Sequence, residues 1–386
     1  MFKVGMIGVG SIADVYLFNS RQMSNYRVVA VASRDEAQAG RRAAGWGVEG
    51  LSVDALLRRP DIEAVLNLTP PAAHHAVTRV ALEAGKHVFS EKPLAADLEE
   101  ALDLADLAGQ RGLRLAVAPD SVLGAGVQRA RAMIDSGAIG RPLMANAAIL
   151  YHGADGWHPN PSFFYRRGGG PMHDVGPYFL AVMMSLFGPL ANVRATGFKG
   201  FETRTVTAPG RENGNAVPVE VLTSVLALLN FRSGVQASLL ASWDVWRTSL
   251  PHIEIHGTEG SLSLPHPNFH RGPLRYARPG GEWEDVPLDD APLARPNWPV
   301  GQPQHANYRG IGLAETIDAI HAHRPHRLSA EFGAHVVEAA DAIILSATSG
   351  KSVDLVIKPE RPEPFGTPET AALMRPSPKD TAQVRR

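Results

Sequence analysis

An apolar run, Phe2–Ile7, passes directly into Gly8-Val9-Gly10-Ser11-Ile12-Ala13, and a helical pattern follows. Each small residue has its own task in such a turn. Gly8 permits the tight bend, Gly10 lets the backbone approach a pyrophosphate, and Ala13 allows the helix to lie close to its strand. The helix start offers free N–H groups and the positive end of its dipole to phosphate oxygens. Glycine-rich turns are common, but here strand, turn, helix and a second strand at Arg27–Ala32 keep the register of a βαβ unit. The expectation is a Rossmann-type, doubly wound parallel sheet, with Gly8, Gly10, Ser11 and Ile12 forming a dinucleotide-binding loop.

The end of the second strand bears on which dinucleotide. It reads Ser33-Arg34-Asp35. A hydroxyl and a guanidinium suit a ribose 2′-phosphate through charge-assisted bonds, so NADP(H) is preferred. In the alternative, Asp35 holds the ribose of NAD(H) and Arg34 faces solvent.

Further strands are expected at Ile62–Leu68, His87–Ser90 and Leu113–Ala118. Helices lie between them: Ser52 caps Val53–Arg59, Gly85 closes Ala73–Ala84, and Asp97 with Glu100 opens Leu98–Gln110. The basic pairs Arg41-Arg42 and Arg58-Arg59 read as solvated helix faces. A helical bridge, Gly126–Ser136, then leads to longer alternating strands: Leu143–Tyr151, Val193–Phe198, Glu220–Phe231, Val235–Trp243 and a hairpin over Ile253–Leu264. These suit a large, mostly antiparallel open sheet in an α+β domain. Helices are expected at Met172–Phe187, Ile311–His323 and Ala330–Gly350, and loops at 204–217 and 265–309. The domain reading is therefore 1–121 for the nucleotide fold, 122–357 for substrate binding and oligomerisation, and 358–386 for a Pro-rich tail that is loose or an arm over a neighbouring subunit.

Composition narrows the function. With a formal net charge of -1, the chain lacks the positive field that a nucleic-acid partner requires. With no cysteine it has no disulfide, thiolate metal site or cysteine nucleophile. No apolar stretch reaches the roughly 20 residues of a membrane helix, and no signal-peptide pattern opens the chain. A cytoplasmic protein with no membrane partner is expected. Its histidines show no His-Glu-x-x-His or compact ligand set, so no catalytic metal is expected either.

Three clusters carry chemistry. Thr69-Pro70-Pro71 with His74 follows the third strand, and Glu91-Lys92-Pro93 follows the fourth. Far downstream comes Gly168-Gly169-Gly170-Pro171-Met172-His173-Asp174-Val175-Gly176-Pro177-Tyr178. With the N-terminal glycine motif, these resemble the glucose–fructose oxidoreductase / inositol dehydrogenase / rhizopine-catabolism family (Gfo/Idh/MocA), from residue 2 to about 355. The resemblance implies that Lys92 lies beside a nicotinamide, with Thr69, Pro70, His74 and Glu91 on the cofactor side. It assigns Asp174 and Tyr178 to the substrate side. Most members have histidine where Tyr178 stands; members similar to the dimeric dihydrodiol dehydrogenases have tyrosine. A phenol, with a reference pKa near ~10, is a poor base at neutral pH unless a cation assists it. The assignment is Tyr178 as acid/base, Lys92 as electrostatic support and proton relay, and Asp174 as positioning group. A spacing of four would place Asp174 and Tyr178 on one helix face.

The stretch Tyr151-His152-Gly153-Ala154-Asp155-Gly156-Trp157-His158 and the residues after it combine aromatic rings with polar groups, as a sugar site requires. Trp157, His158, Arg166 and His173 are the candidate substrate contacts. The function expected is hydride transfer between NAD(P) and a hydroxyl-bearing carbon of a sugar, polyol or related cyclic alcohol, in a homodimer or homotetramer. The alternatives are glycoside cleavage through transient oxidation with retained NAD, and a non-catalytic dinucleotide sensor.

Overall fold

Residues 1–299 and 306–375 are described by the computed structural model of this chain. The first sheet consists of β1 (Phe2–Ile7), β2 (Tyr26–Ala32), β3 (Glu49–Leu51), β4 (Ala64–Asn67), β5 (His87–Ser90) and β6 (Leu115–Val117). All six run parallel in the order β3-β2-β1-β4-β5-β6. That order reverses between β1 and β4, so their carboxyl ends open the crevice where such folds take ligands. The helices α1 (Ala13–Ser20), α2 (Glu36–Trp46), α3 (Val53–Arg58), α4 (His74–Glu83) and α5 (Leu98–Gln110) cover the faces. Their ends follow local chemistry: Ser52 accepts from Ala55 N at 3.2 Å and Asp97 from Glu100 N at 3.0 Å. Gly85 takes φ +75° after α4. The edge strand β3, exposed at two of its three residues, has no apolar run and was not expected from the sequence.

The second domain starts with α6 (Ala125–Asp135) and β7 (Pro142–Leu150). After α7 (Gly170–Asp174), α8 (Gly176–Phe187) and β8 (Leu190–Phe198) comes a small antiparallel pair, β9 (Thr203–Thr205) and β10 (Ala216–Pro218). The strands β11 (Ser224–Phe231), β12 (Gln236–Ser242), β13 (Ile253–Gly257), β14 (Ser261–Leu264), β15 (Arg275–Ala277) and β16 (Glu284–Asp285) follow. The helices α9 (Ile311–His321) and α10 (Ala330–Ser349), the strand β17 (Val353–Asp354) and the helix α11 (Thr367–Leu373) end the described chain. The large sheet has the order β16-β15-β14-β13-β7-β12-β11-β8-β17, antiparallel except for β7 beside β12. The segments 204–217 and 265–309, expected as loops, thus contain short strands: β9 pairs with β10, and β15 and β16 extend the large sheet from β14.

Every residue of α8 is buried, and α8 and α10 cover one face of this sheet. The helix α10 also packs into the first domain, with Ala330, Ala334 and Val337 joining the cluster around Val88 and Val117. The two domains therefore share a continuous seam. Residues 358–375 are not the loose tail expected. Phe365 is buried, Arg327 holds Glu369 in α11, and Arg375 N donates to Gln22 O at 2.7 Å. Residues 376–386 of that expected tail lie outside the described residues. No helix among the described residues is long and apolar enough to cross a membrane.

Candidate active site

The glycine loop caps β1. Gly8 has φ +104°, and a Cβ on it would meet the Leu68 carbonyl carbon at 2.5 Å, so the turn requires glycine. Gly10 differs: a Cβ there meets nothing within 4 Å. That open space lies before α1, whose first turn has no side-chain cap. Arg42 is not a solvated helix residue; it pairs with Asp14 and donates to the Val9 carbonyl at 3.2 Å, bracing the loop. Ala13 is fully buried, as close helix–strand packing needs. Open backbone at Gly10 beside an uncapped helix start fits a dinucleotide pyrophosphate. At the β2 end, the Asp35 carboxylate accepts from Gln38 N at 3.0 Å and caps α2, while Ser33 bonds the Asp35 carbonyl at 2.7 Å. Arg34 is exposed and forms no side-chain hydrogen bond or ion pair among the described residues.

The β4 and β5 ends are joined by buried His74, whose ring nitrogens lie 2.6 Å from the Pro93 carbonyl and 2.7 Å from that of Thr69. His74 is thus a strut between two loops, while exposed Pro70 lies on the rim. Glu91 is likewise engaged within the protein. Its carboxylate accepts from Tyr16 OH at 2.8 Å and from Lys92 N at 3.0 Å.

Lys92 crosses the seam. Its Nζ donates to the Asp174 carbonyl at 2.5 Å and the Asp174 carboxylate at 3.1 Å, and lies 5.0 Å from the Tyr178 ring centre. Burial works against its charge, but Asp174, Tyr178 and Glu91 outweigh burial and raise its pKa above the ordinary lysine value. The helix expected over Met172–Phe187 is broken at Val175 into α7 and α8. Pro177 has no N–H for the His173 carbonyl, and Tyr178 N bonds Val175 O at 3.1 Å instead of Asp174 O. The Asp174 carbonyl is thereby left for the lysine. The break, and not a continuous helix face, brings Asp174 and Tyr178 to one place.

Of the four expected substrate residues, three direct their side chains to other partners. His173 binds the Asp341 carboxylate of α10 at 2.9 Å and faces the Gly169 carbonyl at 3.3 Å, so it is a tie between helices. Trp157 is 59% exposed and donates to the Gly153 carbonyl at 3.0 Å. His158 packs edge-on against Phe163 and Phe164, and Arg166 is exposed. Among the described residues none of the four bonds to Lys92, Asp174 or Tyr178. Apart from Glu91, sequence reading missed a second set. A narrow cleft beside Tyr178 is lined by Glu91, Ala118, Pro119, Asp120, Ser121 and Arg309. Arg309 sits in the stretch read as a loop, and its one cue was the glycine and helix start after it.

A parallel sheet of this order, a pyrophosphate cradle and a Lys–Asp–Tyr cluster at the domain seam define a two-domain oxidoreductase with an NAD-binding Rossmann fold. Residues 2–118 match the family model described as oxidoreductase family, NAD-binding Rossmann fold, and residues 127–263 match the GFO/IDH/MocA C-terminal domain. The chain belongs to the Gfo/Idh/MocA oxidoreductase family. It is 34% identical to the dTDP-3,4-didehydro-2,6-dideoxy-alpha-D-glucose 3-reductase of Streptomyces violaceoruber, over 72% of this chain and 79% of that protein. It is 27% identical to the levoglucosan dehydrogenase of Pseudarthrobacter phenanthrenivorans, covering 92% of this chain and 98% of that one. The fold is shared with a levoglucosan dehydrogenase solved with NADH and L-sorbose, at TM-score 0.77 and 22% identity over 92% of this chain and 99% of the other.

Proposed function

We propose that this protein catalyses hydride transfer between NADP(H), ahead of NAD(H), and a hydroxyl-bearing carbon of a sugar, polyol or related cyclic alcohol. The observation that carries the reading is the convergence of Lys92, Asp174 and Tyr178 at the carboxyl end of the nucleotide-binding sheet. When bound, the nicotinamide supplies or accepts the hydride. Gly8 and Gly10 let the backbone reach the pyrophosphate, and Arg34 receives the 2′-phosphate, joined by Ser33 once its hydroxyl turns from the Asp35 carbonyl. Support for that preference is the commitment of Asp35 to capping α2, with Arg34 left exposed. Lys92 keeps its proton and its charge, polarising the substrate oxygen and holding negative charge that develops on it. Asp174 fixes the lysine through carbonyl and carboxylate together. The phenol of Tyr178 gives a proton to the substrate oxygen in reduction and takes it back in oxidation. The reaction balances: a carbonyl gains one hydride and one proton to become an alcohol.

Both relatives described above carry a sugar derivative in their names, which supports the substrate class. The open face of the large sheet carries Leu226 and Leu228, exposed at 44% and 60%, and takes a second copy of the chain. The test is absorbance of the reduced nicotinamide with NADP+ and NAD+ against D-glucose, D-xylose, myo-inositol and levoglucosan, and in reverse with keto-sugars. Net change in NAD(P)H is expected. Sugar release without it identifies a glycoside hydrolase, and cofactor binding with neither identifies a sensor; both overturn the proposal.

A further inference from the structure

We propose that Arg309 is the positioning residue of Tyr178, holding the phenol oxygen so that its hydroxyl proton is left free for the substrate. The proposal rests on Tyr178 being the proton-transfer group, as read above. Arg309 precedes α9 and is buried to within 8%. Its Nη2 donates to the Tyr178 hydroxyl oxygen at 3.3 Å and to Asn268 Oδ1. Its Nη1 donates to Asn307 Oδ1 at 2.8 Å, and its Nε lies 3.9 Å from Glu91 Oε1.

A guanidinium has donors only, so it occupies a lone pair of the phenol oxygen and never its proton. Tyr178 must therefore aim its own O–H elsewhere, and among the described residues that hydrogen has no acceptor. A buried phenol with one lone pair occupied and its donor unspent is prepared to serve a substrate oxygen brought to it at the domain seam. The same guanidinium places a fixed positive charge beside the oxygen that turns negative when the proton leaves. Arg309 is itself held from the first domain. Glu91 is fixed by Tyr16, and the Asp120 carboxylate accepts from Gly310 N at 2.7 Å and Gly312 N at 3.1 Å, pinning the backbone just beyond Arg309.

The test is a double-mutant cycle of Arg309→Met and Tyr178→Phe, using whichever of the four sugars named above is turned over fastest. Arg309→Met is expected to lower kcat by about 10- to 100-fold, as loss of a positioned proton donor does. Cofactor affinity should stay within about twofold, since no bond of Arg309 touches the glycine loop. In the Tyr178→Phe background the arginine change should add nothing, because it acts through the phenol. Added guanidinium should partly restore Arg309→Met, whereas urea, of the same shape without the charge, should not. Equal losses in both backgrounds, or equal rescue by urea, would overturn the proposal and leave Arg309 a packing residue. Wild-type turnover in Tyr178→Phe alone would instead overturn the role of Tyr178, a separate failure. Should Arg309→Met not fold, Arg309→Lys carries the same cycle, with a smaller loss expected only when Tyr178 is present.

Discussion

Lys92, on the nucleotide side of the seam, donates both to the backbone carbonyl and to the side chain of Asp174, at 2.5 and 3.1 Å. The lysine is thereby located by a carbonyl that a helix break leaves unpaired, as well as by a charge. Two of its three ammonium hydrogens are committed in this way, and one remains for a substrate oxygen.

Replacing Lys92 by alanine should lower turnover by ~100-fold or more, the usual cost of removing a positioned proton-transfer or electrostatic partner. Asp174→Asn should cost less, because the backbone carbonyl still holds the lysine. Steady-state kinetics of the two variants decides it: equal losses would mean that the carboxylate alone sets the lysine.

Arg34→Ala should weaken NADP(H) by about 10- to 100-fold and leave NAD(H) nearly unchanged, the value of one or two charge-assisted bonds to a 2′-phosphate. Titration by nicotinamide fluorescence measures both. Parallel changes for the two cofactors would remove the basis for preferring NADP(H).

Stability should fall as pH drops below neutrality. Burial holds His270 down to about 3 and His266 down to about 4. The unfolded imidazoles bind protons from about pH 6.5 downward while the native ones do not, so the native state loses ground by up to ~1.4 kcal/mol per pH unit for each histidine. Asp120, raised by burial to about 6, acts in the opposite sense between its unfolded and folded values and offsets part of this. These three groups together should cost about 2 kcal/mol between pH 7 and 5.5, and His74, His87, His152, His252 and His326, also lowered by burial, add to the loss. Urea unfolding at the two pH values checks the sign, and a chain equally stable or more stable at the lower pH contradicts it.

The nucleotide fold was readable because its signals are local. Gly8, Gly10 and Ala13 lie within one turn, Ser52 and Asp97 cap their own helices, and Lys92 sits in a tripeptide behind a strand. Asp174 and Tyr178 were named through the family resemblance that their segment carries, but the helix break between them was not foreseen. The apolar pattern of Met172, Val175 and Phe179 runs across it, although Pro177 marked the place. Arg309, Asp120 and Asn268 gave no such signal, since they meet Tyr178 and its surroundings only after distant segments pack together. The aromatic stretch at Trp157 and His158 reads like a sugar platform by composition, yet its rings pack on Phe163 and Phe164 beside it. The last segment misled for a similar reason: its prolines hide two apolar anchors, Phe365 and Leu373, that bury against the folded domains.

Along β11 burial alternates: Val225, Ala227 and Leu229 face the helices, while Leu226 and Leu228 face outward. Leu226→Lys with Leu228→Lys should convert an oligomer to monomer without changing the fold, as like charges on a flat apolar face oppose pairing. Light scattering of the wild type and the double variant decides it, and an unchanged mass would exclude this face as the contact.

The most direct test of the site is the turnover of Tyr178→Phe, measured together with its cofactor affinity. Loss of the phenol proton with the ring retained should lower kcat by about 100-fold or more while NADP(H) binds within about twofold of wild type. A variant that turns over at the wild-type rate would show that the proton travels by another group, and that the meeting of Tyr178 with Lys92 at the seam is packing and not chemistry.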